Sequence, residues 1–438
     1  MKTVAFHNLG CKVNAYENDI MQQKFVENGY EIVPFDQIAD IYVINTCTVT
    51  NMADRKSRQM LHRAKTKNPN AVIIGTGCYI QTKTEEALAD NGADILIGNN
   101  KKSQIVEILN EYLSNHSKTD KYVPDINDGV AEYEPMFLQK PGDRTRAYIK
   151  IQDGCNQFCS YCKIPYARGR VRSRDMEEIV EEIKGLADRG VKEFVLTGIH
   201  VSSYGITTPN DLSGNRLADL LERIQEIPKV ERIRLSSLEP RVVTRDFASR
   251  ISKLDKLCPH FHLSLQSGCD DTLKRMNRHY TTAEYKEGVS LLREFFDDPA
   301  ITTDVIVGFP GETAEEFDKS IAFCKDIGFY EMHVFKYSKR SGTVAERLPG
   351  QVASSDKDTR SDRMIALADT MSHEYRARHI GRPTKVLTEE TKEIEGQTYI
   401  IGHNPEYILV AIPKDAASVN EIVEVNPKEF LKEDLLFV

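Results

Sequence analysis

The stretch Cys155-Asn-Gln-Phe-Cys159-Ser-Tyr-Cys162 decides how the rest of the chain is interpreted. Three thiolates in one short loop can ligate three irons of a cubic iron–sulfur cluster and leave the fourth iron open to a small molecule. A structural zinc site normally takes four protein ligands, so His200 or His262 would have to complete it. Three unrelated thiols are the remaining alternative, and the close spacing disfavours them.

Around this loop, short apolar strands alternate with helical stretches. The strands are predicted at Ala147–Gln152, Glu193–Thr197, Arg232–Ser236, His262–Gln266, Thr303–Val307 and Met332–Tyr337. The clearest helix is Met176–Arg189, where apolar residues recur at helical spacing before Gly190. Six such units predict a partial (β/α)6 barrel. The cysteine loop directly follows the first strand, at the carboxyl end where barrel active sites form.

The residues before the barrel predict a separate doubly wound α/β domain. Its strands are predicted at Thr3–Leu9, Ile41–Asn45, Ala71–Thr76 and Asp94–Ile97. Helical patterns lie between them, near Asn14–Asn28, Ala53–Lys67, Lys83–Asp90 and Ser103–Leu113. This alternation is typical of a mostly parallel sheet covered by helices.

The tail changes character after the helix-like segment Arg360–His379. Short strands broken by turn residues are predicted at Val386–Leu387, Thr398–Gly402, Tyr407–Ile412 and Glu421–Val425. They predict a small antiparallel β-barrel. The expected domains therefore cover residues 1–115, 144–372 and 373–438, with a polar linker over residues 116–143.

The composition indicates a cytoplasmic protein that does not enter the membrane. The 438 residues are 40% hydrophobic and 28% charged, as in soluble globular domains. There is no apolar run of about 18 residues, and the N-terminus lacks a signal peptide's apolar block. The formal net charge of −8 excludes a bulk attraction to nucleic acid but leaves room for local basic patches.

A second set of cysteines lies in the first domain. Cys11, Cys47 and Cys78 each come just after a predicted strand and next to small residues such as Gly10 and Gly77. The carboxyl ends of parallel strands share one edge of a sheet, so these thiols are expected to converge on a second metal site. Buried cysteines that act as small hydrophobic residues are the alternative. The remaining cysteines are expected to be structural thiols: Cys258, Cys269 and Cys324.

The cysteine loop resembles that of the radical S-adenosylmethionine (SAM) superfamily, including the aromatic Tyr161 before the last cysteine. The resemblance implies a [4Fe-4S] cluster on Cys155, Cys159 and Cys162. In that superfamily the cluster reductively cleaves SAM to a 5′-deoxyadenosyl radical, which abstracts hydrogen from unactivated carbon. The protein's part would be to orient the reactants and exclude water.

Further motifs resemble the methylthiotransferases within that superfamily. They are Gly10-Cys11-Lys12-Val13-Asn14, Asn45-Thr46-Cys47, Gly77-Cys78, His262-Leu-Ser-Leu-Gln266-Ser267-Gly268, Asp304-Val-Ile-Val-Gly308-Phe-Pro310-Gly311-Glu312-Thr313 and Arg340-Ser-Gly342-Thr343. The tail is similar to the RNA-binding TRAM domain. The resemblance implies a second [4Fe-4S] cluster on Cys11, Cys47 and Cys78. One SAM would methylate a sulfur there, and another would supply the radical that attacks C2 of an adenine.

The start Gly10-Cys11-Lys12-Val13-Asn14 looks most like the branch that methylthiolates N6-threonylcarbamoyladenosine at position 37, beside the tRNA anticodon. The implied partners are the tRNA anticodon stem-loop and an electron donor such as a flavodoxin or ferredoxin, with an unknown sulfur donor. Sister branches acting on a ribosomal-protein aspartate or on isopentenyl-adenosine in tRNA are alternatives. A non-catalytic RNA-binding zinc protein is an alternative of another class.

Polar residues at the strand ends are candidates for binding SAM. The segment Thr197-Gly198-Ile199-His200 resembles the one that receives the methionine amine. The other candidates lie on later strands: Ser236, Ser237, Glu239, Gln266, Arg278 and Asp304. Ordinary satisfaction of buried polar groups is the alternative for each of them.

Two basic runs are candidates for binding RNA phosphates. The first follows Cys47 and contains Arg55, Lys56 and Arg58, and the second follows Cys162 and contains Arg168, Arg170 and Arg172. A solvated helix face or structural ion pairs are the alternative. From residue 376 onward the chain has 8 basic and 11 acidic residues, so RNA contacts of the tail would be local. The candidates there are Arg378, Arg382 and Lys385.

Overall fold

The protein has three parts, each covered by helices or packed on its neighbour: a six-stranded N-terminal sheet, a central partial barrel of two three-stranded sheets, and a six-stranded sheet in the tail. Its computed structural model describes residues 2–115, 120–128, 132–140, 142, 145–206 and 214–438. The linker predicted over residues 116–143 lies partly outside the described residues. In the part of the chain that is described, no helix is both long and apolar enough to cross a bilayer.

The N-terminal sheet has six parallel strands in the order β2-β1-β3-β4-β5-β6. Its elements are β1 Thr3–Asn8, α1 Lys12–Glu27, β2 Glu31–Val33, β3 Ile41–Thr46, α2 Asn51–Lys67, β4 Val72–Gly77, α3 Cys78–Thr82, α4 Thr84–Ala89, β5 Ile95–Ile97, α5 Ile105–Asn115 and β6 Asp120–Tyr122. One hydrophobic cluster joins α2 to the sheet, and another joins α1 and α5 to its opposite face. The doubly wound prediction is therefore confirmed. The strand order reverses between β1 and β3, which places a binding crevice at their carboxyl ends.

The central domain is a partial barrel of six parallel strands. Its elements are β7 Arg146–Lys150, β8 Gln152–Asp153, α6 Ile164–Arg168, β9 Arg172–Ser173, α7 Met176–Asp188, β10 Glu193–Thr197, α8 Asn215–Gln225, β11 Arg232–Leu235, α9 Arg245–Ile251, β12 His260–His262, α10 Asp270–Arg275, α11 Thr282–Phe295, β13 Ala300–Val307, α12 Ala314–Ile327, β14 Glu331–Lys336 and α13 Ser354–Ala377. Sheets β11-β10-β7 and β12-β13-β14 meet where the amide of Leu238 donates to the His262 carbonyl, at 2.8 Å. The (β/α)6 prediction is confirmed.

One predicted barrel strand is displaced. The strand expected over His262–Gln266 spans His260–His262 in the structure, and Gln266 has a φ of +69°. A left-handed residue does not fit a regular strand. The chain therefore leaves strand geometry before Gln266.

The barrel strands bury apolar residues on one face and carry polar residues on the other. Ala147, Ile149 and Phe194 join the core beneath the helices. Side chains alternate along a strand, so Arg146 and Glu193 belong to the opposite, inward face. The interior of the barrel is therefore polar.

The tail forms a six-stranded sheet in the order β18-β15-β16-β17-β20-β19. Its strands are β15 Thr384–Ile394, β16 Gln397–His403, β17 Leu409–Pro413, β18 Ile422–Val425, β19 Glu429–Lys432 and β20 Leu435–Phe437. The pairs are antiparallel except β17 with β20. The antiparallel barrel prediction is confirmed as a curled sheet, although the last two strands escaped sequence analysis because they have only four and three residues.

The turn between β16 and β17 closes one end of the barrel. Arg232 donates to the His403 carbonyl at 2.9 Å, and Arg234 donates to the Pro405 carbonyl at the same distance. The ring of Tyr407 lies 4.7 Å from the guanidinium carbon of Arg234. The tail thus packs against the amino-terminal ends of the barrel strands and leaves the carboxyl ends to the first domain.

Candidate active site

The loop that carries Cys155, Cys159 and Cys162 is shaped by its own backbone. The Gln157 amide donates to Cys155 Sγ at 3.5 Å, and the Ile164 amide donates to Cys162 Sγ at 3.4 Å. Gly154 begins the loop at φ +73°, where a Cβ atom would lie 1.9 Å from the Arg170 carbonyl oxygen. The loop therefore needs glycine at this position and directs backbone donors at two of the sulfurs.

The electrostatic surroundings of these thiols suit a bound metal that is coordinated by their thiolate forms. Burial raises the pKa of Cys155 to about 12, and burial also raises the pKa of Cys162. The Arg278 guanidinium donates to Cys159 Sγ at 3.2 Å. Free thiols here would stay protonated, so metal ligation has to displace their protons. The guanidinium would then stabilise a thiolate.

The structure brings Cys11, Cys47 and Cys78 together at the crevice between β1 and β3. Cys11 follows β1, Cys47 follows β3, and Cys78 follows β4. Burial raises the pKa of Cys11, and it raises the pKa of Cys47 to about 11. For both thiols the charge of Cys78 contributes to this rise in pKa. The three sulfurs are therefore within electrostatic reach of one another.

Two features hold these strand ends together. The Asn14 side-chain amide donates to the Leu9 carbonyl at 3.0 Å and to the Thr46 carbonyl at 3.1 Å. At Gly77 a Cβ atom would lie 2.4 Å from the Thr46 carbonyl oxygen. Asn14 is thus needed for its hydrogen bonds to two strand ends, and Gly77 is needed because a side chain would not fit there.

Arg168 connects the two cysteine sites. It lies in α6, directly after the loop of Cys162, and its Nε donates to Cys78 Sγ at 3.4 Å. The same guanidinium donates to the Glu17 carboxylate and, at 2.6 Å, to Asn14 Oδ1. A single side chain therefore spans from the barrel loop to the second cysteine site.

The burial of Arg168 contradicts its predicted role in RNA binding. Its relative exposure is 0%, so it cannot reach a phosphate. Arg172 is 5% exposed and lies 3.6 Å from Asp153, and Arg174 is buried against Glu182. The predicted run is thus mostly structural, because these guanidiniums pair with buried carboxylates. Only Arg170 in this stretch is exposed and keeps its predicted role.

A buried charge network docks the first domain on the barrel. Its members are Glu17, Lys102, Lys150, Asp153 and Arg168. Burial alone would raise the pKa of Glu17, but Arg168, Lys102 and Lys150 hold it well below its usual range. Cations outnumber carboxylates in this group. The excess positive charge adjoins Cys78, where anionic sulfur would balance it.

Sequence analysis missed Glu17. It lies four residues after Val13 and four before Met21, within the buried stripe of α1. A carboxylate in such a stripe is rare unless it is paired. The position of Glu17 in an otherwise apolar pattern was therefore the sequence signal for a buried ion pair.

Arg340 docks the loop after Cys47 on the barrel. It donates to the Thr48 carbonyl at 2.7 Å and to Asp54 Oδ2 at 2.8 Å. Arg340 is 3% exposed, so this contact is buried. The motif Arg340-Ser-Gly342-Thr343 therefore fixes how the first domain sits on the carboxyl end of the barrel.

A cavity of about 210 Å³ lies between the cysteine loops and the barrel strands. Val49 and Thr50 of the Cys47 loop line it together with Tyr161 of the Cys162 loop and the predicted SAM ligands Gln266 and Asp304. Larger cavities of about 640 and 510 Å³ adjoin the tail, and no residue of the Cys47 or Cys162 loop lines them. The small cavity is therefore the one that relates to the chemistry.

The other predicted SAM ligands lie at the carboxyl ends of the barrel strands. Among the described residues, Ser236 Oγ and Glu239 Oε2 are buried without a hydrogen-bond partner. Ser237 is exposed. A Cβ at Gly198 would lie 2.8 Å from Gln152 Oε1, so this backbone is closely packed. These unpartnered oxygens leave hydrogen bonds for a ligand to make.

Among the described residues, neither His200 nor His262 joins the cysteines in a compact group of metal ligands. His200 Nδ1 lies 2.6 Å from Ser203 Oγ, and burial lowers the pKa of His200 to about 3. His262 Nδ1 lies 3.0 Å from Thr302 Oγ1. Zinc ligands at 2.3 Å in a tetrahedron are about 3.8 Å apart. Across the described residues, only Cys269, Asp271 and Glu316 have ligand atoms within 4.8 Å of one another. Neither cysteine set therefore has its three sulfurs as close together as the ligands of a single zinc ion.

The first basic run divides into two parts. Arg55 and Lys56 are exposed, and Arg58 lies over the Tyr79 ring at 5.9 Å. Arg63 pairs with Asp36, and Lys65 pairs with Asp94, both at 3.1 Å. The later part of the helix is therefore used in ion pairs, while its start remains free to meet RNA.

Lys12 faces the interior of the barrel. Burial, together with the charges of Arg146 and Arg234, lowers its pKa to about 8, while the charges of Glu193 and Cys11 oppose this shift. The side chain is nevertheless accessible to solvent. Lys12 thus follows Cys11 directly, is exposed, and lies within electrostatic reach of the charged residues on the inward face of the barrel strands.

Comparison with known families and structures agrees with this geometry. Residues 149–324 match the radical SAM superfamily, and residues 3–98 match an uncharacterized protein family, UPF0004. A radical SAM methyltransferase, TsrM from Kitasatospora setae, is similar in fold, with a TM-score of 0.55 and 15% identity over 77% of this chain and 75% of that one.

Full-length relatives are also found. The threonylcarbamoyladenosine tRNA methylthiotransferase of Bacillus subtilis is 42% identical over 97% of this chain and 93% of the relative, and that of Aquifex aeolicus is 39% identical over 91% and 95%. The tRNA-2-methylthio-N6-dimethylallyladenosine synthase of Clostridium botulinum is 34% identical over 95% and 92%.

A cysteine loop at the carboxyl end of a partial barrel, matched by the superfamily over residues 149–324, defines a radical SAM enzyme. The second cysteine set and the full-length relatives narrow this class. The chain belongs to the radical SAM methylthiotransferase family, whose cofactors are SAM and two [4Fe-4S] clusters.

Proposed function

We propose that the protein is a tRNA methylthiotransferase that converts N6-threonylcarbamoyladenosine at position 37, beside the anticodon, to its 2-methylthio derivative. The observation that carries this proposal is the cavity bounded by the Cys47 loop and the Cys162 loop. Two cofactor sites must act on one base, and a shared cavity permits this. The B. subtilis relative carries the name of this activity.

Each set of three cysteines would hold one of the two clusters. Cys155, Cys159 and Cys162 would hold the cluster that works with SAM, and Cys11, Cys47 and Cys78 would hold the auxiliary cluster. When bound, these groups supply the radical and the methylated sulfur. The protein's own residues position them: Arg278 donates to Cys159, and Arg168 donates to Cys78.

SAM would be held by the polar groups around the strand ends. The unpartnered Ser236 Oγ and Glu239 Oε2 are available to its hydroxyl and amine groups. Asp304 and Gln266 face the shared cavity. The closely packed backbone at Gly198 would receive the methionine amine.

The substrate base would enter past an apolar rim. Val49 and Phe335 line the cavity and remain 58% and 48% exposed. Bases of an anticodon loop can be splayed out and stacked on such surfaces, whereas duplex bases cannot. Arg55, Lys56 and Arg170 are exposed cations that would contact the phosphates of the stem-loop. A flavodoxin or ferredoxin would supply the electrons.

The test uses anaerobically reconstituted enzyme with SAM, a reductant and two tRNA pools. One pool carries threonylcarbamoyladenosine, and the other carries isopentenyl-adenosine. Mass spectrometry of the digested nucleosides should show a methylthio product only from the first pool. A product only from the second pool would favour the activity named for the C. botulinum relative. 5′-Deoxyadenosine without product from either pool would redirect the search to a protein substrate.

A further inference from the structure

Lys12 is a cation to which the proposed function assigns no role. It is the first residue of α1 and directly follows Cys11. Its side chain is accessible, yet Arg146, Arg234 and Glu193 of the barrel are within electrostatic reach of it. Within the described part of the chain, no hydrogen bond or ion pair holds its ammonium group. It is therefore an available cation inside the barrel.

The surroundings of Lys12 contain more cations than carboxylates. Glu193 is already paired with Arg234 at 3.0 Å and lies 3.6 Å from Arg232. Glu389, the carboxylate beside Arg146, lies 3.5 Å from that arginine and 2.8 Å from His403. Both carboxylates are thus used by other cations. Unbalanced positive charge in a protein interior is costly unless an anion enters.

The position of Lys12 also limits which anion it can meet. The residue adjoins Cys11, so a ligand group that reaches Lys12 belongs to a molecule placed beside the auxiliary cysteine site. The proposed substrate differs from an isopentenyl-adenosine in one decisive way. Its threonyl group ends in a free carboxylate, whereas an isopentenyl group is a hydrocarbon.

We propose that Lys12 binds the threonyl carboxylate of the substrate adenosine and thereby selects this nucleoside over one with an uncharged N6 substituent. This inference rests on the proposed function. A charge-assisted hydrogen bond between ammonium and carboxylate is among the stronger polar contacts. A site built around such a contact rejects analogues that lack it, because its polar group is then left unpaired.

Two other anions could reach the same interior. The carboxylate of SAM is one, although Arg278 already lies beside the radical site, 3.2 Å from Cys159 Sγ. An RNA phosphate is the other. The two alternatives make different predictions. If Lys12 bound the SAM carboxylate, its loss would weaken SAM binding, and if it bound a phosphate, its loss would weaken the binding of all RNAs equally.

The experiment compares Lys12→Gln, Lys12→Arg and the exposed control Lys253→Gln in the reconstituted enzyme. The RNA probes are anticodon stem-loops with threonylcarbamoyladenosine, its methyl ester, isopentenyl-adenosine or plain adenosine. The readouts are Kd for each RNA, KM for SAM, 5′-deoxyadenosine formation and iron content. Lys12→Gln should weaken binding of the threonylcarbamoyl RNA about 10- to 100-fold, the size of a lost charged hydrogen bond. Lys12→Arg should restore part of this loss, and the control should not differ from wild type.

The methyl ester and the other two RNAs should bind wild type and Lys12→Gln alike. Equal weakening of all four RNAs, a raised KM for SAM or a loss of iron would each overturn the inference. If the wild type methylthiolates the threonylcarbamoyl RNA and Lys12→Gln binds this RNA with unchanged Kd, the inference about Lys12 is overturned while the proposed function stands. Wild type that yields no product and binds this RNA no better than plain RNA would overturn the proposed function, and the inference with it.

Discussion

The two cysteine sites of this protein are built in opposite ways. Cys155, Cys159 and Cys162 share one loop, whose backbone amides reach two of their sulfurs. Cys11, Cys47 and Cys78 come from three strand ends, and a guanidinium from another domain reaches Cys78. The first site is therefore local, while the second depends on sheet topology and on domain docking. Perturbing the interface between domains should damage the second site before the first.

The largest effect should come from removing each set of ligands. Replacing Cys11, Cys47 and Cys78 with Ala should abolish methylthiolation, remove about half of the iron and leave SAM cleavage, because three ligands hold each cluster. Replacing Cys155, Cys159 and Cys162 should abolish both reactions. Iron analysis, 5′-deoxyadenosine formation and product mass spectrometry measure this, with Cys324→Ala as the control. Loss of SAM cleavage in the first variant would refute the separation of roles.

Arg168→Gln should have the next largest effect, since it removes a buried cation from the interface. We expect a loss of about 3 kcal/mol in the free energy of unfolding, as for a broken buried ion pair. Removing positive charge beside Cys78 should also lower the reduction potential of the auxiliary cluster and leave that of the radical cluster unchanged. Urea unfolding and redox titration followed by electron paramagnetic resonance measure these changes. Arg170→Gln, an exposed neighbour, is the matched control, and equal shifts at both clusters would contradict the prediction.

The same network makes a prediction about pH. Glu17 has a folded-state pKa well below its ordinary value. It therefore contributes stability above the unfolded-state pKa of about 4.3, and this contribution is lost as the pH falls through the folded pKa. The stability difference between wild type and Glu17→Gln should shrink by about 1.4 kcal/mol per pH unit below that point. Urea unfolding of the cluster-free protein at pH 7, 4 and 3 tests this. The exposed substitution Glu181→Gln should cause no such difference, and a pH-independent difference for Glu17→Gln would rule the prediction out.

The smallest effect concerns RNA. Arg55→Gln and Lys56→Gln should each weaken stem-loop binding a few-fold and reduce its salt dependence by about one phosphate contact. Arg63→Gln should change neither, because Arg63 pairs with Asp36 at 3.1 Å. Binding titrations at several salt concentrations measure this. An equal effect at Arg63 would show that the helix contacts RNA along its whole length.

Much of the fold was predictable because its signals are local. The six βα units show in the alternation of apolar strands and helices, and the predicted strand Glu193–Thr197 agrees with the structure residue for residue. The displaced strand at His260–His262 was harder to place, because Gln266 takes a left-handed conformation that no neighbouring residue requires.

The candidate site was predictable in part. Placing Cys11, Cys47 and Cys78 at strand ends was enough to expect their convergence, since parallel strands share a carboxyl edge. The basic run around Arg168 was misjudged, because an arginine beside a cluster loop looks the same in sequence whether it meets a phosphate or a buried carboxylate. Its partner Glu17 lies in a distant helix of another domain.

The sequence by itself determined the chemistry of the radical loop and the order of the elements, because both depend on neighbouring residues and on repeated hydrophobic patterns. Only the tertiary structure decided which charges are buried, which cations stay exposed and which charged residues of the barrel lie near Lys12. Those properties depend on partners brought together from distant parts of the chain. Burial decides what a charge can do, since a paired interior arginine holds domains together while an exposed, unpaired cation keeps its charge available to a ligand.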